Sequence, residues 1–293
     1  MSKLKNWFLA ARPKTLTASL VPIIAAVGWV SGGIKQPVNW WLVTCAVLSS
    51  ICIQIGTNLV NDAMDYKKGA DNEKRIGPLR VTQQGYFTYK HVMLMAGVFF
   101  LAAVALGIPL VMKGGVPIVV IGLISVAMGY AYTSGPFPLA YLGLGDLFVI
   151  VFFGLIAVGG MGYILTGMYH LSLFVLGLQI GCLSAVLIAI NNLRDIHTDQ
   201  EVNKKTLCVR LGVKGSRYWI AVLILVPFIF GYYWLYLQRW LVYAVPVISF
   251  PLGFSIIKKI FRTEPSPIYN KFLAQAAAYS LIFSVLIYLG FQL

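Results

Sequence analysis

The chain has 293 residues, of which 59% are apolar and only 11% are charged, and its mean hydropathy is +0.82. Soluble domains usually carry a charge on about a quarter of their residues, so this composition excludes an ordinary water-soluble fold. The formal net charge of +14 would suggest nucleic-acid binding in a soluble protein, but the positions of the basic residues indicate a different origin.

A basic segment, Lys3 to Lys14, precedes the first apolar stretch, which starts near Leu16. No small-residue cleavage pattern stands out there, so we expect a spanning helix and not a cleaved signal peptide. A spanning helix needs about 20 mainly apolar residues, each adding about 1.5 Å. Nine windows meet this requirement, and Gly, Pro or charged residues separate them. The windows are residues 16–34, 40–60, 91–112, 115–133, 146–167, 171–192, 218–237, 240–257 and 272–292.

These windows predict an all-α membrane protein with about nine transmembrane helices in a single domain, residues 1–293. Of the 23 Lys and Arg residues, 20 fall in the N-terminal segment and the even-numbered loops, and the odd-numbered loops hold only Lys35, Lys113 and Arg239. By the positive-inside rule, the N-terminus and the even-numbered loops are cytoplasmic and the C-terminus is external. We therefore attribute the positive charge to membrane topology and expect no nucleic-acid partner.

The acidic residues are concentrated in two short segments. Seven of the nine Asp and Glu residues lie in the first acidic motif, residues 58–73, or in the second acidic motif, residues 191–201. The motifs stand at the cytoplasmic ends of the second and sixth predicted helices, where acids are costly unless they are paired or functional. Because four helices separate equivalent points of the motifs, we expect two parallel repeats of four helices, followed by a final helix.

The polar side chains of each motif would share one helix face if the helices continued through them. At 100° per residue, the polar side chains of the first motif lie within about 100° of one another around the helix. Those of the second motif recur at positions i, i+4 and i+8. Such sets present hard oxygens that suit Mg²⁺, while the neighbouring basic residues suit phosphate oxygens. The pattern favours a site for a lipid diphosphate. The sets are Asn58, Asn61, Asp62 and Asp65 in the first motif, and Asn191, Asp195 and Asp199 in the second.

Other interpretations of the motifs remain open. A single acid at a helix end usually forms only a surface ion pair. A transporter would need polar residues at mid-bilayer depth, whereas these acids lie at one membrane face. A lipid or quinone carrier that binds without turnover fits the same residues.

Four stretches of the chain resemble the UbiA superfamily of membrane prenyltransferases, most closely its 1,4-dihydroxy-2-naphthoate polyprenyltransferase branch. Members of the superfamily generally have an acidic residue at the position of Gly69. In this chain the acid stands two residues later, at Asp71, and this position resembles that in the naphthoate branch. Branch members often have Glu where Asp146 stands. The stretches are Arg12–Ser19, Asn61–Asp71 with Arg75–Arg80, Tyr132–Pro136 running to Gly143–Asp146, and Asn191–Asp199 with Lys205–Gly212.

The resemblance implies an enzyme of menaquinone biosynthesis in a bacterial inner membrane, with its active site facing the cytoplasm. It would transfer a polyprenyl group from an allylic diphosphate to 1,4-dihydroxy-2-naphthoate, releasing diphosphate and CO₂ and giving demethylmenaquinol. The alternative acceptors are 4-hydroxybenzoate and homogentisate, as in other branches.

The resemblance also implies roles for individual residues. Asp65 and Asp195 would be catalytic. Tyr130, Tyr132 and Tyr141 lie near the cytoplasmic end of the fourth predicted helix, and an aromatic face there could stabilise the allylic cation, with Tyr132 the first candidate. Tyrosines at a membrane boundary are more often interfacial anchors. The implied Mg²⁺ ligands are Asn61, Asp62, Asp65, Asp71, Asn191, Asp195 and Asp199. The implied residues for the diphosphate or the acceptor are Arg12, Lys14, Lys68, Arg75, Arg80, Arg194, Lys205 and Arg210.

Overall fold

The structure, a computed structural model, describes residues 3–69, 77, 80–134 and 139–293, without the side chain of Lys14. Within these ranges the chain is built from helices and contains no β-strand, which confirms the predicted all-α class. The helices are α1 (Lys3–Ala11), α2 (Pro13–Gly28), α3 (Trp40–Lys67), α4 (Tyr89–Gly114), α5 (Val116–Ala131), α6 (Gly145–Val149), α7 (Ala157–Thr166), α8 (Leu171–Arg194), α9 (Ile196–Glu201), α10 (Leu207–Tyr236), α11 (Trp240–Val247), α12 (Phe250–Arg262) and α13 (Tyr269–Gln292).

Two π-helical turns lengthen these helices: Trp29–Gly33 continues α2, and Ile150–Ile156 joins α6 to α7. With these turns, seven helical segments among the described residues are long and apolar enough to cross a membrane. They correspond to all the predicted windows except the fourth and the eighth. The fourth window is α5, which has only 16 residues. The eighth is the pair α11 and α12, which is bent by 44° and counts as an eighth span if the pair crosses as one.

Proline explains the bend between α11 and α12. Pro251 lies in the first turn of α12 and has no backbone N–H to continue the hydrogen-bond ladder of α11. The Ser249 hydroxyl donates to the carbonyl of Pro246 at 2.7 Å, which satisfies one of the oxygens left at the end of α11. The apolar window alone did not reveal this break, because both halves are apolar.

The outward faces of the helices are apolar. Leu101 on α4, Leu123 on α5 and Ile229 on α10 are 72%, 66% and 62% exposed. Side chains of this kind, spread over several long helices, need lipid and not water around them. The protein is therefore an integral membrane protein.

Helix α8 is the centre of the bundle and packs against α10, α13 and the π-helical turn of residues 150–156. Glycines allow the closest of these approaches: a Cβ on Gly154 would lie 2.3 Å from the carbonyl oxygen of Gly177. Small residues give membrane helices the close packing that replaces the hydrophobic effect in lipid. Helix α2 contacts both α3 and α8, and thereby brings the two acidic motifs to one end of the bundle.

The two motifs differ in backbone conformation. Helix α3 continues to Lys67 and includes Asn58, Asn61, Asp62 and Asp65 of the first motif, as the side-chain pattern predicts. In the second motif, α8 ends at Arg194, and Asp195 has a non-helical φ of −94° and ψ of 10° before α9 begins. The predicted continuous i, i+4, i+8 stripe is therefore interrupted, although Asp199 N still donates to Asp195 O at 2.8 Å.

Candidate active site

A cavity of about 180 Å³ lies between the ends of α3 and α8 that carry the acidic motifs. Its lining combines polar side chains from both motifs with apolar side chains from α8, α13 and the 146–153 region. The arrangement suits a ligand with a charged group and an apolar group. The polar lining includes Arg12, Asn61, Asp65, Arg80, Asn191 and Lys204, and the apolar lining includes Phe148, Phe153, Leu187, Ile188 and Leu273.

In the first motif, Asp62 and Asp65 have different surroundings. Asp62 is 2% exposed, and its two oxygens accept hydrogen bonds from the backbone N–H groups of Val81 and Thr82, at 3.1 and 3.0 Å. Asp65 lines the cavity, and its Oδ2 lies 3.0 Å from Nη2 of Arg80. Asp62 thus holds the segment that follows the motif, whereas Asp65 presents a carboxylate to the cavity.

Thr133, which follows α5, connects two further groups of the first motif. Its hydroxyl donates to Asn61 Oδ1, and its carbonyl oxygen accepts from Lys68 Nζ at 2.6 Å. Burial lowers the pKa of Lys68, and the opposing charge of Asp65 only partly reverses this shift. The residues after α5 therefore fix an amide oxygen and a cation at the edge of the site.

In the second motif, Arg194 is 1% exposed and its donors are used inside the protein. It binds both oxygens of Asp195, at 2.8 and 2.5 Å, and it also donates to Asn191 Oδ1 at 2.9 Å and Asn270 Oδ1 at 2.6 Å. Arg194 does not line the cavity, and its predicted contact with substrate stays a prediction. Its position instead connects α8, the Asp195 turn and α13.

The end of the second motif adds an acid and a base to the site. Asp199 Oδ1 lies 3.3 Å from Lys204 Nζ, and its Oδ2 is buried without a hydrogen-bond partner among the described residues. Burial raises the pKa of Asp199 to about 6, although Lys204 acts in the opposite direction. Burial alone would lower the pKa of Lys204, but Asp199, Asp65 and Asp195 together raise it.

Lys204 is a site residue that the sequence analysis did not select. We had expected its neighbour Lys205, which is exposed and does not line the cavity. The turn before them places Asn203 at a φ of 54°, and this left-handed residue redirects the chain toward Asp199. Adjacent lysines give no sequence signal that distinguishes the inward side chain from the outward one.

The other predicted basic residues occupy different places. Arg12 lines the cavity and has a left-handed φ of 53° at the junction of α1 and α2. Arg210 is exposed, and it donates to the carbonyl oxygens of Leu142 at 3.0 Å and Lys205 at 3.3 Å, so that it connects two loops. The remaining predicted positions lie outside the described residues: Asp71, Arg75 and the side chain of Lys14.

Two tyrosines near α5 have distinct roles in the geometry. Tyr132 lines the cavity, as predicted, and its ring packs against Phe148 with centroids 5.5 Å apart. The hydroxyl of Tyr141 donates a hydrogen bond to Asp65 Oδ1 at 3.2 Å.

Asp146, at the start of α6, is 1% exposed and accepts a hydrogen bond from Trp219 Nε1 at 3.0 Å. It therefore belongs to the packing of α6 against α10.

The donor set fits a hard cation that takes part of its coordination from water and phosphate. No group of three Asp, Glu, His or Cys side chains with metal-ligand geometry occurs in the described ranges. Asn61, Asp65 and Asn191 nevertheless line one cavity, and Asp199 supplies a buried oxygen without a partner. Few protein ligands, all of them oxygen, are typical of Mg²⁺ sites that also bind a diphosphate.

Comparison with known proteins agrees with the resemblance found in the sequence. Residues 19–284 match the UbiA prenyltransferase family. The chain is 31% identical over 302 residues to a 1,4-dihydroxy-2-naphthoate octaprenyltransferase of Haemophilus influenzae, covering 98% of this chain and 96% of the relative. It is 34% identical over 233 residues to the Escherichia coli protein of the same name, covering 77% and 74% of the two chains.

The fold is also similar to that of a solved structure. A UbiA homolog from Archaeoglobus fulgidus bound to DMAPP and Mg²⁺ matches with a TM-score of 0.62 at 16% identity, covering 96% of this chain and 99% of the other. At 16% identity this likeness shows a shared fold only, and membership of the family rests on the sequence match. Together with the two motifs at one cavity, these findings establish that the chain belongs to the UbiA prenyltransferase family.

Proposed function

We propose that this protein transfers a polyprenyl group from an allylic prenyl diphosphate to 1,4-dihydroxy-2-naphthoate, releasing diphosphate and CO₂ and giving demethylmenaquinol. The observation that carries the proposal is one cavity lined both by polar side chains of the two acidic motifs and by apolar side chains. The names of the relatives from Haemophilus influenzae and Escherichia coli support this acceptor.

Asn61, Asp65, Asn191 and Asp199 are the residues best placed to hold Mg²⁺. The bound metal would neutralise negative charge on the diphosphate, and the homolog bound to DMAPP and Mg²⁺ supports this choice of ion. Asp62 and Asp195, predicted as ligands as well, neither line the cavity, as Asp65 does, nor have an oxygen without a partner among the described residues, as Asp199 has. In our proposal these two carboxylates hold the motif backbones in position.

The cationic side chains of the cavity act on the leaving group. As the allylic C–O bond breaks, its electron pair moves to the diphosphate, and negative charge grows where Arg80 and Lys204 stand. Lys68, at the edge of the site, adds a third cation. Because these groups are already held by Asp65, Asp199 and Thr133, little reorganisation is needed when the charge develops.

The carbon skeleton reacts on the apolar side of the cavity. The faces of Tyr132 and Phe148 stabilise the allylic cation by about 0.5–2 kcal/mol. The ring carbon of the acceptor that bears the carboxylate attacks this cation and forms the new C–C bond. That carbon has no hydrogen to lose, so the ring regains its aromaticity by losing CO₂ and enolising.

The proposal extends to the arrangement in the membrane. We propose that α5 crosses the bilayer as a ninth span, with α11 and α12 crossing together as the eighth. The bundle then consists of two parallel four-helix repeats and a final helix, with the N-terminus and the active site facing the cytoplasm of a bacterium. The alternation of Lys and Arg between loops supports this orientation.

An acceptor panel tests the proposed reaction. Purified protein in detergent is given Mg²⁺, a prenyl diphosphate and one of three acceptors: 1,4-dihydroxy-2-naphthoate, 4-hydroxybenzoate or homogentisate. We expect a prenylated product from the naphthoate alone. Turnover with only 4-hydroxybenzoate or homogentisate would assign another branch of the family, and binding without turnover on every acceptor would indicate a carrier.

A further inference from the structure

Tyr141 contacts two charged residues of the first acidic motif and one that follows the second. It ends the 3₁₀ turn Leu139–Tyr141, and its hydroxyl donates to Asp65 Oδ1 at 3.2 Å. The ammonium of Lys68 lies 4.5 Å from the centre of its ring, and the ammonium of Lys204 lies 5.6 Å from the same point. One side chain from the loop between α5 and α6 thus contacts an acid and a base of the first motif and a base beside the second.

The turn that carries Tyr141 is held at both ends. Ala140 N donates to the carbonyl oxygen of Tyr132 at 3.0 Å, and Arg210 donates to that of Leu142 at 3.0 Å. Gly143 has a φ of 76°, and a Cβ there would lie 2.8 Å from Arg210 Nε, so the turn requires glycine at this point. The position of the Tyr141 ring is therefore set by the loop, independently of the two lysines.

Two ammonium groups beside one ring repel each other, and the electron-rich face of the ring offsets part of this repulsion. Lys68 is tied to Thr133 and Lys204 to Asp199, so each lysine is anchored in its own segment. The shared ring is the contact that sets the position of one ammonium relative to the other. A diphosphate carries negative oxygens on two phosphorus atoms, and such a paired anion fits two cations held in this way.

We propose that Tyr141 is a positioning residue that presents Lys68 and Lys204 as a pair to the diphosphate of the prenyl donor. The inference rests on the proposed function, since it concerns the donor of that reaction. The ring of Tyr141 influences diphosphate binding by positioning the two lysines. Its hydroxyl has the lesser role of orienting Asp65. Tyr141 does not line the cavity and acts on the donor only through its neighbours.

Three variants distinguish the ring from the hydroxyl and from a general loss of packing. Tyr141→Phe keeps the ring and removes the hydroxyl, whereas Tyr141→Leu removes both. Tyr130→Leu is the matched control, because Tyr130 is 45% exposed near the same end of α5 and lines no part of the cavity. Calorimetry measures the binding of inorganic diphosphate with Mg²⁺ to each folded protein, and kinetics give the KM of the prenyl donor and of the acceptor.

We expect Tyr141→Leu to weaken diphosphate binding about tenfold, as the loss of two cation–π contacts implies, and to raise the donor KM similarly with the acceptor KM unchanged. Tyr141→Phe and Tyr130→Leu should stay within about twofold of the wild type. Equal affinity in Tyr141→Leu and the wild type would overturn the inference, as would equal losses in Tyr141→Phe and Tyr141→Leu. If Tyr141→Leu does not fold, the test rests on Tyr141→Phe, which keeps the ring. Diphosphate affinity within about twofold of the wild type then supports the inference, and a loss of about tenfold overturns it, because the ring cannot be its cause. A wild-type protein that binds no diphosphate would instead overturn the proposed function, and this inference with it.

Discussion

At the scale of single residues, the site consists of acids that are each paired with a particular partner. Asp65 pairs with Arg80, Asp195 with Arg194, and Asp199 with Lys204. Buried charges are tolerated when such partners hydrogen-bond to them, and losing one partner leaves the other uncompensated. The acids that the sequence identified are thus both potential ligands and structural members of ion pairs.

The first prediction concerns these carboxylates. Asp65→Asn should abolish turnover because it removes a charged oxygen from the cavity, and Asp195→Asn should abolish it because Arg194 loses a bidentate partner. Thermal unfolding in detergent checks that both variants fold. Glu264→Gln is the matched control, since its side chain is 79% exposed and its surface pair with Arg217 contributes little. Near-normal turnover of Asp65→Asn or Asp195→Asn would contradict the assignment.

A second prediction concerns Asp146, whose Oδ2 has no partner among the described residues. Trp219→Phe removes the N–H that bonds its other oxygen, and should lower the free energy of unfolding by about 1–3 kcal/mol. The same change in an Asp146→Leu background should cost less, because no buried carboxylate remains to be left unbonded. The comparison uses thermal unfolding in detergent. Equal costs in the two backgrounds would mean that the hydrogen bond contributes nothing.

The residues that sequence analysis missed share one property. Lys204 and Thr133 contact residues far away in the chain, the ring of Tyr141 and the amide oxygen of Asn61 respectively. Asn61 and Asp65 were found because they are close together on one helix and belong to an unusual cluster of acids. The role of Arg194 stays a prediction, because a basic residue inside an acidic motif has the same sequence pattern whether it binds a ligand or its neighbour.

At the scale of helices, apolar length predicts where the long segments lie, and local backbone chemistry decides where they break. The windows for α3, α4 and α13 agree with the structure within a few residues at most of their ends. The break at Asp195 was not predicted, nor was the separate helix α1 before Arg12. Both depend on single residues with non-helical backbone angles, which the hydropathy of a long window does not detect.

The close packing of α8 gives a prediction at this scale. Gly154→Ala would place a Cβ 2.3 Å from the carbonyl oxygen of Gly177, so α8 and the π-helical turn must move apart. We expect a loss of about 1–3 kcal/mol in the free energy of unfolding, as for other overpacked cores. Gly159→Ala in the same span is the control, because nothing lies within 4 Å of its Cβ. Equal melting temperatures of the two variants would argue against close packing here.

At the scale of the whole molecule, the bundle brings both acidic motifs to one end, where the charged cavity meets the apolar interior. Composition and the apolar windows were enough to predict a membrane bundle, and the two acidic motifs added the prediction of a diphosphate site at one face. They did not determine which side chains enter the cavity, because that depends on how α2, which contacts both α3 and α8, positions the ends of these helices.

The orientation of this bundle is tested by cysteine labelling in intact cells. We expect a membrane-impermeant reagent to reach single cysteines placed at Gln36 and Gln292 from outside, and not those placed at Lys67 and Asn203. Lys67, Asn203 and Gln292 are exposed and Gln36 is half-buried, so none of the four positions is closed to the reagent within the protein. Labelling of Lys67→Cys and Asn203→Cys from opposite faces would disprove the parallel repeat.

The central claim, prenylation at the carbon that bears the carboxylate, is tested by following that carboxylate. The acceptor is 1,4-dihydroxy-2-naphthoate with an isotopic label in the carboxylate carbon, supplied with Mg²⁺ and a prenyl diphosphate. The account predicts labelled CO₂ in a one-to-one ratio with prenylated naphthoquinol. A prenylated product that keeps its label would contradict it.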